Sequence, residues 1–242
     1  ARAMNILLVG SGGREHALVW KLAQSPHATH LWCTPGNAGI AQERLAANGA
    51  QVECLSIGAE DLPQLLEFAR DHKPDLTVVG PDNPLAMGIV DLFQQHGLRI
   101  WGPNQKAAAF ESSKAFAQEF MQRHGIPTMQ AGVFSDVTAA SRFAASLGGR
   151  CAVKADGLAL GKGVLICRDM AQADQAIEEI LVLQKFGAAG AKVVIQELLE
   201  GMEQGLMELD QPQGDPAAQD DGEAINALFR SAHTIKGSAG LF

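Results

Sequence analysis

The sequence predicts an α/β fold, with a parallel-sheet domain at the front, a compact α+β unit behind it and a helical tail. Short apolar runs alternate with segments whose apolar residues recur at helical spacing, which is typical of βαβ units. Several runs end in glycine- and proline-rich loops, where parallel sheets commonly bind ligands. Hydrophobic residues make up 47% of the 242 residues and charged residues 19%, as in packed globular domains.

The front half alternates predicted strands with predicted helices. The strands are residues 5–9, 30–33, 51–55, 75–79 and 98–101. The helices are residues 14–24, 61–72 and 85–96. This alternation predicts parallel pairing, so that the carboxyl ends of the strands share one edge of the sheet.

The second section begins near residue 104 and changes character after Gly201. Its predicted helices are residues 112–124, 138–147 and 170–183, and its predicted strands are 150–154, 163–167 and 192–197. Acidic residues but no Lys or Arg occur between residues 202 and 223, and residues 224–242 return to a helical pattern. We therefore expect three domains, at 1–103, 104–201 and 202–242.

Composition argues against several classes of function. The formal net charge of -8 disfavours a nucleic-acid partner, because phosphate backbones need an excess of Lys and Arg. No apolar run approaches the roughly 20 residues of a membrane span, and no signal peptide is evident, so we expect a cytoplasmic protein without a membrane partner. The four cysteines include no C-x-x-C pair, which predicts no zinc site and fits a reducing compartment.

A glycine-rich loop, Gly10-Ser11-Gly12-Gly13-Arg14, lies between the first predicted strand and helix. Glycines allow close backbone approach, and a helix N-terminus supplies N–H groups and a positive dipole end, which suits a phosphate. A tight βα turn without a ligand explains the loop about as well. NAD is disfavoured, because Glu15 stands where a dinucleotide fingerprint has its third glycine.

Two further loops are expected at the same edge of the sheet. They are residues 35–39, which include Asn37, and residues 80–85, which begin with Gly80 and Pro81. Both offer backbone donors and short polar side chains rather than an acid–base pair. This composition suits holding a sugar phosphate rather than performing chemistry on it.

The richest segment is residues 153–164, where Lys154 ends a predicted strand and glycines lead to the next one. A lysine and a loop of N–H donors can cover a triphosphate and exclude water. The segment is not a Walker A loop, because G-x-x-x-x-G-K-[ST] is absent. A glycine hairpin with solvated lysines is the alternative interpretation.

Two residues outside this segment also fit a nucleotide. Lys106 supplies a cation after the strand predicted at 98–101, and Glu197 ends the strand predicted at 192–197, where free backbone groups could read an adenine. Taken alone, Glu197 is better explained as an exposed acid at the end of a strand.

These motifs together resemble the glycinamide ribonucleotide synthetase family of ATP-grasp ligases, also called phosphoribosylamine–glycine ligases, over about residues 4–201. The matching stretches, in family order, are LLVGSGGREHAL (7–18), PGNAG (35–39), DLTVVGPDNPLAMGIVD (75–91), GPNQKAAAFESSKAFAQEFMQRHGIPT (102–128), VKADGLALGKGV (153–164) and VVIQELLEG (193–201). The resemblance implies a pre-ATP-grasp domain followed by the small lobe of an incomplete ATP-grasp module.

The resemblance also implies roles for individual residues. The substrate phosphate would be held by Gly10, Ser11, Gly12, Gly13, Arg14, Asn37, Gly80 and Pro81. ATP would be held by Lys106, Lys154, Gly157, Gly161, Lys162, Gly163, Glu197 and Leu199. In the implied reaction of purine synthesis, ATP phosphorylates the carboxylate of glycine, and the amine of 5-phosphoribosylamine attacks the acyl phosphate.

The family's Mg²⁺ ligands and the residues around its acyl phosphate follow the strand predicted at 192–197. We therefore expect this chain to lack a complete catalytic set and a metal site. Without metal ligands, charge on the transferred phosphoryl group is poorly stabilised. We expect little or no ligase turnover.

Residues 202–242 resemble a second family, the histidine phosphotransfer domains of chemotaxis-type histidine kinases. The stretch ALFRSAHTIKGSAGLF (227–242) matches the phosphoacceptor helix, in which His233 would be phosphorylated and Lys236 would lie one turn further on. The implied partners are a kinase and a response regulator, and the chain would be a truncated chimera. For His233 alone, an ordinary helix with an exposed histidine is the alternative.

Overall fold

The computed structural model describes residues 2–158 and 163–198. The chain divides into two compact units, Ala1–Ser112 and Ser113–Phe242. The predicted α/β class is confirmed, since the first unit holds a parallel sheet and the second an antiparallel one. Among the described residues, every helix is too short or too polar to cross a bilayer.

The first unit is built on a five-stranded parallel sheet with the order β3-β2-β1-β4-β5. Its strands are β1 (Met4–Gly10), β2 (Ala28–Pro35), β3 (Glu53–Cys54), β4 (Leu76–Val79) and β5 (Ile100–Trp101). The order reverses between β1 and β4, which makes their carboxyl ends a topological switch point, where open α/β sheets bind ligands.

Helices cover both faces of this sheet. They are α1 (Gly13–Ala23), α2 (Leu62–His72), α3 (Asp82–Ala86), α4 (Ile89–Gln95) and α5 (Gln105–Ser112). The single helix predicted at 85–96 is wrong, because Gly88 takes a left-handed conformation with φ 89° and separates α3 from α4. Glycine reaches this conformation without the steric cost that other residues incur.

Alternate side chains of β1 are buried on opposite faces of the parallel sheet. Ile6 and Leu8 pack with Val19 of α1, whereas Leu7 and Val9 pack with residues of α2 and α4 such as Phe93. A parallel sheet covered on both faces needs a nearly continuous apolar strand, which the run from Ile6 to Val9 supplies.

Helix α5 belongs to the first unit. Its Ala108 is buried in the same apolar cluster as Leu85 and Ile89. This packing explains why the compact units divide after Ser112. The boundary between functional domains that the sequence predicted after residue 103 remains a prediction.

The second unit contains a four-stranded antiparallel sheet with the order β6-β9-β7-β8. Its strands are β6 (Ala131–Phe134), β7 (Cys151–Ala155), β8 (Val164–Cys167) and β9 (Val193–Glu197). Its helices are α6 (Lys114–Arg123), α7 (Val137–Ser146) and α8 (Met170–Ile177), the last continuing through a π-helical turn, Glu178–Val182.

One face of the antiparallel sheet is apolar and the other carries polar groups. Val153 of β7 and Ile195 of β9 are buried against α7 and α8. The adjacent positions Lys154 and Gln196 alternate to the opposite face, because successive strand side chains point to opposite sides. Two buried polar side chains on one sheet face mark that face as a candidate site.

Candidate functional site

Three loops meet at the carboxyl edge of the parallel sheet, after β1, β2 and β4. The amide of Gly36 donates to the Gly10 carbonyl at 3.1 Å, and the Asn37 Nδ2 donates to the Ser11 carbonyl at 2.7 Å. The amide of Gly80 donates to the Val9 carbonyl at 3.1 Å. The structure therefore brings together the loops that the sequence predicted at this edge.

Asn37 is held in one orientation by its own loop. Its Oδ1 accepts hydrogen bonds from the amides of Gly39 at 2.8 Å and Ile40 at 2.9 Å. With Nδ2 engaged by Ser11, the amide side chain ties the second loop to the first. Asn37 thus fixes the shape of the edge as well as offering a polar group there.

Glu15 has a structural role that the sequence pattern did not reveal. Its side chain is buried, and its carboxylate accepts a hydrogen bond from the Gly12 amide at 2.7 Å. A Cβ atom at Gly10 or Gly80 would lie 2.2 or 2.4 Å from the Glu15 Cγ, so glycine is required at both positions. The loop glycines make room for a carboxylate that caps α1.

Arg14 and the start of α3 complete this edge. The Arg14 guanidinium donates to the Gly80 carbonyl at 3.3 Å and lies 3.6 Å from the Asp82 carboxylate. Pro81 precedes α3 as its N-cap residue. Arg14 is more than half exposed, so its charge is available at the surface of the loop cluster.

Lys154 is the central polar residue of the second unit. It is buried, and its ammonium donates to the Gln196 Oε1 at 2.5 Å. Burial, with a smaller contribution from the nearby ammonium of Lys114, lowers the pKa of Lys154 to about 8. With a pKa of about 8, the ammonium is largely charged at neutral pH and places a positive charge on the polar face of the antiparallel sheet.

Two residues near Lys154 were not identified from the sequence. The Lys114 ammonium donates to the Gly157 carbonyl at 2.8 Å, and Asp156 accepts from the Ser113 hydroxyl at 3.3 Å and the Ala115 amide at 3.1 Å. These contacts join the end of β7 to the start of α6. They link residues more than forty positions apart, which local sequence patterns do not show.

The remaining predicted ATP residues occupy several places. Gly157 has a left-handed φ of 113°. The carbonyl of Gly163 accepts a hydrogen bond from the Ala155 amide at 2.8 Å, and Glu197 is exposed at the end of β9. Lys106 lies in α5 of the first unit. The predicted ATP residues Gly161, Lys162 and Leu199 lie outside the described residues, as does the predicted phosphoacceptor His233.

The described part of the chain contains no group of three or more His, Cys, Asp or Glu that could hold a metal ion. Because Mg²⁺ is often held by one or two carboxylates together with substrate phosphates, the expected lack of a Mg²⁺ site remains a prediction.

Comparison with known protein families gives two adjoining matches. Residues 4–111 match phosphoribosylglycinamide synthetase, N domain, and residues 112–218 match phosphoribosylglycinamide synthetase, ATP-grasp (A) domain. The chain belongs to the phosphoribosylglycinamide synthetase family. The second match extends past residue 201, where the sequence predicted a domain boundary, and ends before His233.

Curated relatives agree with this assignment to the phosphoribosylglycinamide synthetase family. Proteins named phosphoribosylamine--glycine ligase from Allochromatium vinosum, Haemophilus influenzae and Vibrio cholerae are 49%, 47% and 45% identical over 200 residues. Each alignment covers 83% of this chain and 45% of the relative. The chain therefore spans slightly less than half the length of these relatives.

Solved structures of the phosphoribosylglycinamide synthetase family and of related folds are also similar. Phosphoribosylamine--glycine ligase from Thermotoga maritima has a TM-score of 0.61 and 25% identity, over 81% of this chain and 44% of that one. An ADP complex of N5-carboxyaminoimidazole ribonucleotide synthetase has a TM-score of 0.57 and 16% identity, over 82% of this chain and 48% of that one. The second likeness is one of fold alone.

Proposed function

We propose that this chain supplies the sugar-phosphate site and part of the ATP site of a ligase that joins glycine to 5-phosphoribosylamine in purine biosynthesis. The proposal is carried by one observation: the chain matches the N domain and the ATP-grasp (A) domain of one family, in order. Curated relatives at 45–49% identity carry the ligase name. We place this activity in the cytoplasm.

The first unit fits the sugar phosphate. The first-turn amides of α1 have no intrahelical partners, and the helix dipole favours an anion there. Glu15 engages the Gly12 amide, so we assign the amides of Gly13 and Arg14 to the phosphate, with the Arg14 guanidinium, which also donates to the Gly80 carbonyl, beside them. Asn37 holds the neighbouring loop in place around this position.

The second unit fits the phosphates of ATP. Lys154 and Lys114 concentrate positive charge at the end of β7, and Glu197 offers backbone groups for the adenine at the end of β9. We assign these residues the binding of substrate and the attraction of its phosphates. Gly161, Lys162 and Leu199 are proposed ATP contacts from the resemblance alone.

Calorimetric titration tests both sites separately. Ribose 5-phosphate is the probe for the first unit and a non-hydrolysable ATP analogue for the second. We expect Asn37→Ala to weaken only the sugar phosphate and Lys154→Met only the nucleotide, each by roughly tenfold, since a hydrogen bond to a charged group contributes about 1.5–3 kcal/mol. A folded chain that binds neither probe would contradict the proposal.

Turnover is a separate measurement. ADP release is followed with Mg-ATP, glycine and freshly generated phosphoribosylamine. We expect little or no release, because the chain aligns with only 45% of the length of its curated relatives. Release that depends on all three substrates would show that the 242 residues assemble an active site themselves.

A second function is proposed for the tail. The stretch AHTIKG (232–237) matches the phosphoacceptor motif of histidine phosphotransfer domains, with His233 as the acceptor and a kinase and response regulator as partners. Radiolabel transfer from a histidine kinase to the chain, lost in His233→Gln, would support this function. Equal labelling of the two chains, or none, would reject it.

A further inference from the structure

Two cysteines of the first unit, Cys33 and Cys54, lie side by side beneath the loops at the carboxyl edge. They are register partners in the parallel pair of β2 and β3. Register partners project to the same face of a sheet, and both cysteines belong to one apolar cluster. Neighbouring strands are about 4.8 Å apart, within the roughly 4.4–6.8 Å of Cα separation that a disulfide spans.

Each thiol contacts one of the loops. The Cys33 Sγ donates to the Gly10 carbonyl at 3.4 Å, and the Cys54 Sγ donates to the Asn37 carbonyl at 3.8 Å. The Cys54 sulfur also fills the space below Gly36, where an added Cβ would lie only 2.5 Å from it. An atom added to this sulfur therefore pushes against the loop that carries Asn37.

The two thiols differ in access. Cys54 is half-buried and Cys33 is fully buried. Burial, together with the neighbouring Cys54 and Glu15, raises the pKa of Cys33 to about 12, so that Cys33 stays a thiol at neutral pH. Because oxidants react with accessible sulfur, Cys54 is the first to be attacked.

We propose that Cys33 and Cys54 form a redox-sensitive dithiol that controls the loops at the carboxyl edge, with hydrogen peroxide as the oxidant. The Cys54 sulfur attacks one peroxide oxygen, which gives a sulfenic acid and water. The Cys33 thiol then passes its proton to the departing hydroxide as its sulfur attacks the Cys54 sulfur, so that water leaves and no free Cys33 thiolate has to form. Overall, two thiols and one peroxide become one disulfide and two waters.

Oxidation has a direct effect on the edge. A disulfide has no S–H group, so the Gly10 and Asn37 carbonyls lose these donors, and the Cys54 sulfur moves from its position under Gly36. This part of the inference rests on the proposed sugar-phosphate site. The Asn37 side chain ties two loops together, so we expect sugar-phosphate affinity to fall when its loop shifts.

Peptide mapping tests the disulfide in the full chain. The protein is treated with hydrogen peroxide, its remaining thiols are blocked with N-ethylmaleimide, and peptides are identified by mass spectrometry. We expect a peptide that links Cys33 to Cys54. Cys151 and Cys167 provide the comparison pair: they are register partners in β7 and β8 and both are buried, and the hydrogen bond with Cys151 lowers the pKa of Cys167, so only the greater accessibility of Cys54 favours the first pair. Absence of the linked peptide, or earlier oxidation of the comparison pair, would overturn the proposal.

Titration with ribose 5-phosphate tests the control of the site. We expect the affinity for ribose 5-phosphate to fall roughly tenfold on oxidation, which corresponds to the loss of one or two hydrogen bonds in the loops. Reduction with dithiothreitol should restore the original affinity. In Cys54→Ser, or in Cys54→Ala if the serine variant does not fold, peroxide should leave the affinity at that variant's own value. An affinity unchanged by the disulfide would overturn control of the loops. If the reduced chain binds no ribose 5-phosphate, the proposed function fails, whereas the linked peptide still reports on the disulfide.

Discussion

Single residues at the carboxyl edge of the first sheet are constrained by one another. The buried Glu15 caps α1 through the Gly12 amide, and its methylene groups occupy space that side chains at Gly10 and Gly80 would need. In the sequence, Glu15 was notable only because it occupies the position of the third glycine in a dinucleotide-binding fingerprint. Its partners come from loops after two different strands, so its packing could not be predicted from local spacing.

Gly80→Ala tests this packing. A Cβ at position 80 would lie 2.4 Å from the Glu15 Oε1, so the side chain must move and the cap on α1 is weakened. We expect the free energy of unfolding to fall by about 1–3 kcal/mol, as for overpacked sites. Urea denaturation measures this change. Gly58→Ala is the control, since nothing lies within 4 Å of its added Cβ, and an equal loss in the two variants would contradict the argument.

The charge of Lys154 predicts two opposite pH dependences. Its pKa is about 8 in the folded chain, against 10.5 for an ordinary lysine. Between these values the unfolded chain binds more protons, so the free energy of unfolding rises with pH across this window. Nucleotide affinity should instead fall as pH rises through about 8, because the ammonium loses its charge. Calorimetric titration at several pH values measures the second effect.

Gln196→Glu is the matched variant for this measurement. A carboxylate next to the ammonium favours the charged lysine and raises its pKa. The fall in nucleotide affinity should therefore move to higher pH, whereas Lys154→Met should remove it. A fall at the same pH in all three proteins would assign it to another group.

At the scale of elements, Asp156 joins β7 to α6. It accepts hydrogen bonds from the Ser113 hydroxyl and the Ala115 amide, and Ser113 in turn caps the helix through the Phe116 amide. A residue in the glycine-rich motif thus holds the helix that carries Lys114. The order of these elements was predictable, but this connection between them was not.

Asp156→Ala should destabilise the second unit by about 1–2 kcal/mol, the usual cost of a lost helix cap. Asp156→Asn retains an acceptor oxygen and should cost less. Asp169→Ala, which removes the cap of α8, is the comparison for an ordinary cap. Urea denaturation distinguishes them, and a stability unchanged in Asp156→Ala would mean that the hydrogen bonds to α6 add nothing.

Long periodic elements were predicted well and short ones poorly. The structure confirms α2 within one residue of its predicted start, because its apolar stripe is regular. Strand β6 was missed, because four residues that include Gly132 give no clear alternation. Strands β3 and β5 are only two residues each, since the predicted apolar runs around them extend into loops.

At the scale of the whole chain, the two units have separate cores. The first unit has apolar clusters on both faces of its sheet, and the second has one cluster between its sheet and α7 and α8. The order of domains could be predicted from the motifs, because each motif lies at the end of a strand. The proposed role of the tail depends on the resemblance alone.

Separate cores predict two thermal transitions. Phe93→Ala should destabilise the first unit and Ile195→Ala the second, each by the roughly 2–5 kcal/mol of unfolding free energy typical of large-to-small core changes. In scanning calorimetry, each variant should therefore lower the transition temperature of its own unit. Both side chains are fully buried. A single transition that both variants lower equally would show that the units unfold together.

The packing around Glu15 also has an evolutionary consequence. Side chains at positions 12 and 80 would occupy the same space as the Glu15 side chain, so a larger residue at either glycine is acceptable only if residue 15 becomes smaller at the same time. Such positions should change together among homologous sequences, and single changes should be rare. Gly80→Ala combined with Glu15→Ala would reproduce one step of that joint variation, with the space restored and the cap on α1 lost.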